Sequence, residues 1–179
     1  LVRHFTGGRK TYDRNGRIAA RGKVLEPLLE KGLRFPFFRR QPPKSAGREQ
    51  FGEWFVKEFF LKRRRGHFED LLRTATELTA RSIAEAHERL VFPRVKVHRL
   101  IVSGGGAHNR LLMRRLAELL PQLKVELSDR YGLPVDAKEA IAFAVLADRT
   151  LHGLPGNVPS VTGACRPVIL GKLVRPSRG

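Results

Sequence analysis

At 179 residues, 41% of them hydrophobic and 29% charged, the chain is long enough for one domain with a proper core. Its longest strictly apolar run, residues 140–147, falls far short of the ~20 residues of a membrane-spanning helix, and its single cysteine, Cys165, excludes a disulfide framework and a cysteine zinc site, in keeping with a reducing cytoplasm. The net charge of +18 is uneven, with 18 Lys and Arg against 6 Asp and Glu in residues 1–66 and 17 against 11 in the remainder.

In chain order, Leu1 opens the sequence without an initiator methionine or a signal-like segment, so the chain reads as a piece of a longer one. Leu1 to Phe5 suit the end of a helix that Gly7-Gly8 stops. Tyr12-Asp13-Arg14-Asn15-Gly16 carries turn chemistry, in which Asp and Asn side chains bond backbone and Gly supplies positive φ. Val24 to Glu30 predict a brief helix with Pro27 in its first turn and Gly32 as its end. Pro36 and Gln41-Pro42-Pro43 force extended backbone, so Arg34 to Ser45 are expected as a loop with aromatic anchors. Lys44, Ser45 and Arg48 precede an aromatic-faced helix of Phe51, Trp54, Phe55, Phe59 and Leu61. They suit either contact with a phosphate or sugar hydroxyl, or a capping arrangement in which Ser45 caps and Arg48 or Glu49 closes the first turn.

Phe35, Phe37, Phe38, Arg39, Arg40 and the run Lys62-Arg63-Arg64-Arg65 superficially match a nucleic-acid surface, with cations for phosphates and rings for stacking. No reader motif accompanies them, and 25 of the 35 basic residues are Arg, as a coding bias would produce. Nucleic acid is therefore the lesser reading.

Phe68 to Leu90 form the longest helical pattern, with Leu71, Leu72, Ala75, Leu78, Ile83, Ala84 and Ala86 on one stripe. After Pro93, Val97, Leu100, Ile101 and Val102 read as a buried strand. Ser103-Gly104-Gly105-Gly106-Ala107 read as a tight turn, and Asn109 as the N-cap of a helix bearing Leu111, Leu112, Leu116, Leu119 and Leu120. Three glycines remove every Cβ where backbone must approach a ligand, and the first turn of the following helix aims unpaired N–H groups at the same place. This is the layout of a phosphate or nucleotide site, though neither the Walker nor the dinucleotide glycine pattern, and the same glycines also suit a plain strand-to-helix crossover. His108 reads as a turn residue with no visible carboxylate or serine partner.

Leu123 to Leu127 alternate as a second, half-exposed strand. Asp136-Ala137-Lys138-Glu139 open a strongly apolar, buried helix through Leu146, with Asp136 and Glu139 spaced as a capping box. Leu154 to Gly163 form a loop, Val168 to Val174 suit a final edge strand, and Pro176-Ser177-Arg178-Gly179 a frayed tail. The order of elements predicts an α/β domain with ligand outside the carboxyl ends of the strands.

Five runs together resemble the anhydro-N-acetylmuramic acid kinase family. They are Tyr12-Asp13 with Gly16, Pro43-Lys44-Ser45 with Gly47-Arg48-Glu49, Ile101 to Asn109, Asp136 to Ala144, and Pro155 to Ala164. The resemblance implies the C-terminal half of an actin-like (ribonuclease H-like) sugar kinase, a mixed sheet flanked by helices. In it residues 1–66 would be a basic sugar-side segment and residues 67–179 the nucleotide-side core of a single domain fragment. It implies a cytoplasmic enzyme of cell-wall recycling that uses ATP, Mg2+ and water to open the 1,6-anhydro ring and phosphorylate O6, and a homodimer. Ser103, Gly104, Gly105, Gly106, Ala107 and Asn109 would contact the nucleotide, Glu139, Lys44 and Arg48 the amino-sugar substrate, and the loop of Pro159, Ser160, Val161 and Thr162 would wall the site.

The resemblance also implies a glycine-rich phosphate loop and an Asp-Thr-Gly-Pro-Gly-Asn stretch holding the general base. Neither occurs among these residues; the second is expected upstream of Leu1, in a missing N-terminal domain. Asp13, Asp129 and Asp136 lie in no match to the general-base stretch, so no catalytic residue is assigned and the chain alone is expected not to catalyse. A nucleotide-binding remnant without turnover is the alternative.

Overall fold

The computed structural model of the chain describes residues 1–62 and 66–174. Arg63 to Arg65 and the tail from Arg175, which includes the expected frayed Pro176 to Gly179, lie outside the described residues. Two compact units are formed, Leu1–Arg39 with Ala46–Asp136, and Arg40–Ser45 with Ala137–Gly179.

The first unit is built on one long helix. In chain order it holds α1 (Val2–Phe5), single 3₁₀ turns at Arg14–Gly16 and Ala19–Arg21, α2 (Glu26–Leu33), α3 (Pro36–Arg39), α4 (Arg48–Phe51), α5 (Glu53–Phe55) with a π turn Val56–Leu61, and α6 (Phe68–Ala86) with a π turn His87–Val91. Then come β1 (Arg99–Val102), a 3₁₀ turn Gly105–His108, α7 (Arg110–Leu119), β2 (Lys124–Leu127) and a 3₁₀ turn Ser128–Tyr131.

Helix α6 starts where Asp70 turns back to accept the His67 N–H at 3.3 Å, and its other oxygen takes the Lys23 N–H at 2.7 Å. Its apolar residues feed several cores in succession. Leu71 and Leu78 pack with Leu29, Phe55 and Phe60; Leu72 packs with Val2, Ala19 and Leu111; Ala80 meets Leu112 and Leu116; Ala84 meets Leu120 and Leu123. Burying each leucine stabilises by about 1.5–3 kcal/mol. Phe35, Phe38, Phe51, Phe55, Phe59 and Phe60 form a continuous chain of ring contacts, with centroids 5.0 to 6.0 Å apart between Phe35, Phe51, Phe55, Phe59 and Phe60. The rings therefore build a core beside α2.

β1 and β2 are parallel, with Ile101 opposite Glu126 and Val102 opposite Leu127, and α7 is the crossover between them. The α/β reading of this segment holds, with a two-stranded parallel sheet among the described residues. Several local expectations do not hold. Gly32 lies inside α2 rather than after it, because a Cβ there would come within 2.9 Å of both Leu78 methyl groups, so glycine permits α2 to approach α6. The segment expected as a loop contains α3, since Pro36 is tolerated at a helix start. The aromatic helix is broken at Gly52, whose ψ of −147° is not helical. β1 is open on one side, with Ile101 49% exposed, and it is Glu126 that β2 buries.

In the second unit, α8 (Lys138–Leu151) and α9 (Pro159–Thr162) are joined by a loop in which Asn157 accepts the Val168 N–H at 2.7 Å and donates to the Arg166 carbonyl at 3.1 Å. That clamp holds residues 166–168 as a loop, and the edge strand expected at Val168 to Val174 is not formed. α8 buries no residue, and Phe143 is 71% exposed, against the expectation of a buried helix. An apolar sequence states a need for cover without naming what supplies it. No helix among the described residues is long and apolar enough to cross a membrane.

Candidate functional site

The glycine turn follows directly on β1. Gly104 adopts φ +79° and ψ −178°, a conformation L side chains rarely take, and a Cβ on Gly104 or Gly105 would meet nothing within 4 Å. The bareness therefore serves backbone conformation and open space in front of the turn, not internal packing. The Gly104 N–H donates to the Val135 carbonyl at 2.9 Å, Ala107 N–H returns to the Gly104 carbonyl at 2.9 Å, and Asn109 N–H to the Gly106 carbonyl at 3.0 Å. The Gly105 and Gly106 N–H groups have no partner among the described residues. Ala107 is buried and anchors the turn, while Gly105, Gly106 and His108 are exposed.

Asn109 caps α7 as its sequence predicts, its Oδ1 accepting the Leu112 N–H at 3.1 Å. Leu111, Leu112 and Leu116 bury the opposite side of α7. The helix start is thus fixed, and the dipole's positive end faces the turn.

Facing the glycines is the loop of Tyr12, Asp13, Arg14 and Asn15. Asp13 pins it, one carboxylate oxygen accepting the Ile18 N–H and the other the Ala19 N–H, each at 2.9 Å. Asn15 sits at φ +60° and Gly16 at φ +69°, so the sequence-level turn reading holds, with Asp13 rather than Asn15 supplying the backbone bonds. Together with Gly105, Gly106, His108, Asn109 and Asp136 the loop walls a cleft of about 770 Å³, floored by Val2, Leu72 and Thr76. That volume suits a ligand of nucleotide size.

His108 and Asp136 meet at the cleft, Nε2 to Oδ1 at 2.8 Å. This corrects two expectations: His108 has a carboxylate partner, and Asp136 is not half of a capping box. The N-cap of α8 is Ala137, without a side-chain cap bond, and Glu139 stands exposed on the first turn. The pair lies 28 residues apart, beyond any local motif, so spacing alone gave no signal for it. With the Gly104 to Val135 bond, it fastens the glycine turn to the residues after β2.

The other carboxylate of the loop is occupied, Asp129 Oδ1 accepting the Val135 N–H at 3.1 Å. Behind it Glu126 is buried, and its carboxyl is held down at about 2 by the Tyr131 hydroxyl at 2.6 Å and then Lys124 at 3.0 Å, with Arg130 alongside. It is a structural anchor of the loop that reaches Asp136.

The expected sugar contacts fall in both units. Arg48 is exposed at the start of α4 in the first unit; Lys44, half-buried, and Glu139 belong to the second. Ser45 does not cap α4; Glu49 closes it on the Gly47 N–H at 2.7 Å, and the N-cap is Gly47. Among the described residues no group of three or more His, Cys, Asp or Glu is placed to hold a metal. With both Asp13 oxygens taken by backbone N–H groups, the cleft residues do not form a magnesium cage.

A family model described as anhydro-N-acetylmuramic acid kinase matches residues 1–176. The chain is similar to proteins of that name from Caldanaerobacter subterraneus subsp. tengcongensis, 40% identical over 177 residues (97% of this chain, 44% of the relative), from Bacillus cereus, 41% over 168 residues (93% and 44%), and from Cyanothece sp., 45% over 174 residues (96% and 45%). The chain spans a little under half the length of these curated relatives. On this extent of match, the chain belongs to the anhydro-N-acetylmuramic acid kinase family, a family of the actin-like sugar kinase fold.

Proposed function

We propose that the chain is part of an ATP-dependent kinase for anhydro-N-acetylmuramic acid, in which the glycine turn and the Tyr12 to Asn15 loop, from the segment expected on the sugar side, seat the nucleotide. The observation that carries this reading is the turn: a left-handed Gly104, open space in front of Gly104 and Gly105, and two unpartnered N–H groups on the wall of a cleft of about 770 Å³. Backbone donors that fold leaves unpaired beside a helix N-terminus favour an anionic or polar ligand group.

In the proposed reaction water adds to the anomeric carbon, the bond from that carbon to O6 breaks, O6 takes the γ-phosphoryl group and ADP leaves, while a base accepts the proton of the water. The residues of this chain would position: Gly105 and Gly106 by backbone donation, Asn109 by fixing the helix start, and the His108–Asp136 pair by holding the turn. Glu139, Lys44 and Arg48 are proposed as sugar-side contacts, on the family resemblance of their motifs. Magnesium, when bound with ATP, would supply charge neutralisation on the phosphates.

A second reading, nucleotide binding without turnover by these residues alone, is favoured by the state of the carboxylates. Asp13 with both oxygens and Asp129 with one hold loop N–H groups, a structural use that accounts for each without a catalytic role.

The test is ATP binding to the chain by calorimetry, beside Gly105→Val. An added side chain at Gly105 enters open space rather than the core, so the variant should fold as the parent does and bind ATP about tenfold or more weaker. Equal affinity in the two proteins would refute the assignment of the turn.

A further inference from the structure

We propose that Arg9, Lys10, Arg14 and Arg17 form a second pocket, which binds a phosphate-bearing anion of the oligophosphate class. This goes beyond the nucleotide reading of the glycine turn and does not depend on it. The pocket is a concavity of about 450 Å³ walled by residues 9–14, Arg17 and Ile18.

Two short loops, each pinned without using most of its cationic heads, place the four residues around one concavity. In the first, Gly7 and Gly8 at φ +58° and +83° reverse the chain, and the Lys10 N–H donates to Thr6 Oγ1 at 3.0 Å. Arg9 Nε donates to the Thr6 carbonyl at 3.1 Å, which fixes the stem of its guanidinium and leaves the two outer nitrogens. In the second, Asp13 takes the N–H groups of Ile18 and Ala19, and the Arg17 N–H donates to the Arg14 carbonyl at 3.3 Å. Asp13 is the one acid of the pocket wall, and both its oxygens face these N–H groups.

Placement around one concavity sets this cluster apart, since among the described residues Arg39, Arg40, Arg48 and Arg94 also lack a carboxylate within 4 Å whereas other arginines have one. Arg21, Arg81, Arg99, Arg115 and Arg130 each have a carboxylate within 4 Å. Among the described residues none of Arg9, Lys10, Arg14 and Arg17 has one. Four like charges held around one concavity repel each other unless an anion enters, and a guanidinium fork matches phosphate oxygens in pairs. Four cations around a space of this size fit an anion of more than one phosphate. Tyr12, Asp13 and Arg14 also wall the glycine cleft, so the two pockets adjoin.

The phosphate is either that of a free oligophosphate or the polyphosphate end of a nucleotide. The test is calorimetry of the 179-residue chain with inorganic tripolyphosphate at low salt. Arg9→Gln with Arg17→Gln should weaken binding about tenfold or more, and Arg39→Gln with Arg40→Gln, the same charge loss elsewhere, should change it by less than about twofold. All these side chains are exposed, so equal unfolding midpoints verify that the variants fold. Displacement of tripolyphosphate by ATP but not by adenosine assigns the phosphate to a nucleotide; simultaneous binding of ATP and tripolyphosphate assigns it to a free anion. The proposal is overturned if the parent chain does not bind tripolyphosphate, if both double variants lose affinity equally, or if single-stranded DNA binds through the same side chains in preference to tripolyphosphate. Gly105→Val should leave tripolyphosphate binding intact, which separates failure of this site from failure of the nucleotide reading.

Discussion

Gly16 and Asn109 compete for one volume: a Cβ on Gly16 would stand 2.2 Å from Asn109 Oδ1, the atom that caps α7, and 2.9 Å from the Leu111 Cβ. The two walls of the cleft meet here, and they meet only because residue 16 has no side chain. Gly16→Ala adds left-handed strain of about 1–2 kcal/mol and forces Asn109 off its cap at about 1 kcal/mol more. Urea unfolding should therefore report a loss of about 2–3 kcal/mol. A loss below about 0.5 kcal/mol, the level of an ordinary surface change, would show that the walls can separate freely.

His108→Ala should split affinity from stability. The pair with Asp136 is solvent-exposed, so its removal changes unfolding free energy by no more than about 1 kcal/mol. Yet it fastens the turn that carries Gly105 and Gly106, and ATP affinity should fall by about three- to tenfold. Titration of ATP against the variant at fixed salt measures it, and an unchanged dissociation constant contradicts a positioning role.

Glu77 is 1% exposed and sits between two arginines, with Arg115 reaching both its oxygens at 2.8 Å across α6 and α7 and Arg81 adding a bond at 3.0 Å. Burial opposes ionisation of Glu77, but the bonds from Arg115 and then Arg81 outweigh it and hold its pKa below the ordinary carboxylate value. Arg115→Met leaves the carboxylate with only Arg81 and should cost about 3 kcal/mol, less than a fully enclosed pair because Arg115 retains some solvent contact. Adding Glu77→Leu should recover most of that loss. If the double variant is no more stable than Arg115→Met, the charge of Glu77 is not what makes the single change costly.

Acid stability should depend on Glu126. A glutamate in an unfolded chain titrates near ~4.3, and here it is held at about 2, first by the Tyr131 hydroxyl and then by Lys124. Its folded pKa is depressed, so its contribution is complete above the unfolded value and is lost as pH falls from there through about 2. Tyr131→Phe removes the largest cause and should move the acid unfolding midpoint, followed by circular dichroism, to higher pH. An unmoved midpoint would mean that the hydroxyl contributes nothing to the low pKa.

The elements legible in the sequence are those whose signals span a few residues. Asn109 caps three residues ahead, Asp13 binds five and six ahead, and the stripe of α6 repeats within each two turns. The glycine turn was readable as a turn, because a left-handed backbone selects glycine wherever it occurs. What sequence did not disclose are the partners set by packing. His108 meets Asp136 and Glu77 meets Arg115 across 28 and 38 residues. Gly32, a helix terminator by local rules, is a point of close approach between helices. Asp136 had a good local use as a cap, and a contact from elsewhere in the fold displaced it.

The Glu77–Arg115 contact also gives the first unit a direction in temperature. Hydration of charged groups becomes less favourable on heating, so the desolvation that weakens a buried ion pair in the cold diminishes as the chain is warmed. Contacts among the phenylalanines beside α2 carry no such compensation. On warming, the seam between α6 and α7 gains on its surroundings, and the helix that carries the glycine turn is seated on the part of the unit best suited to heat.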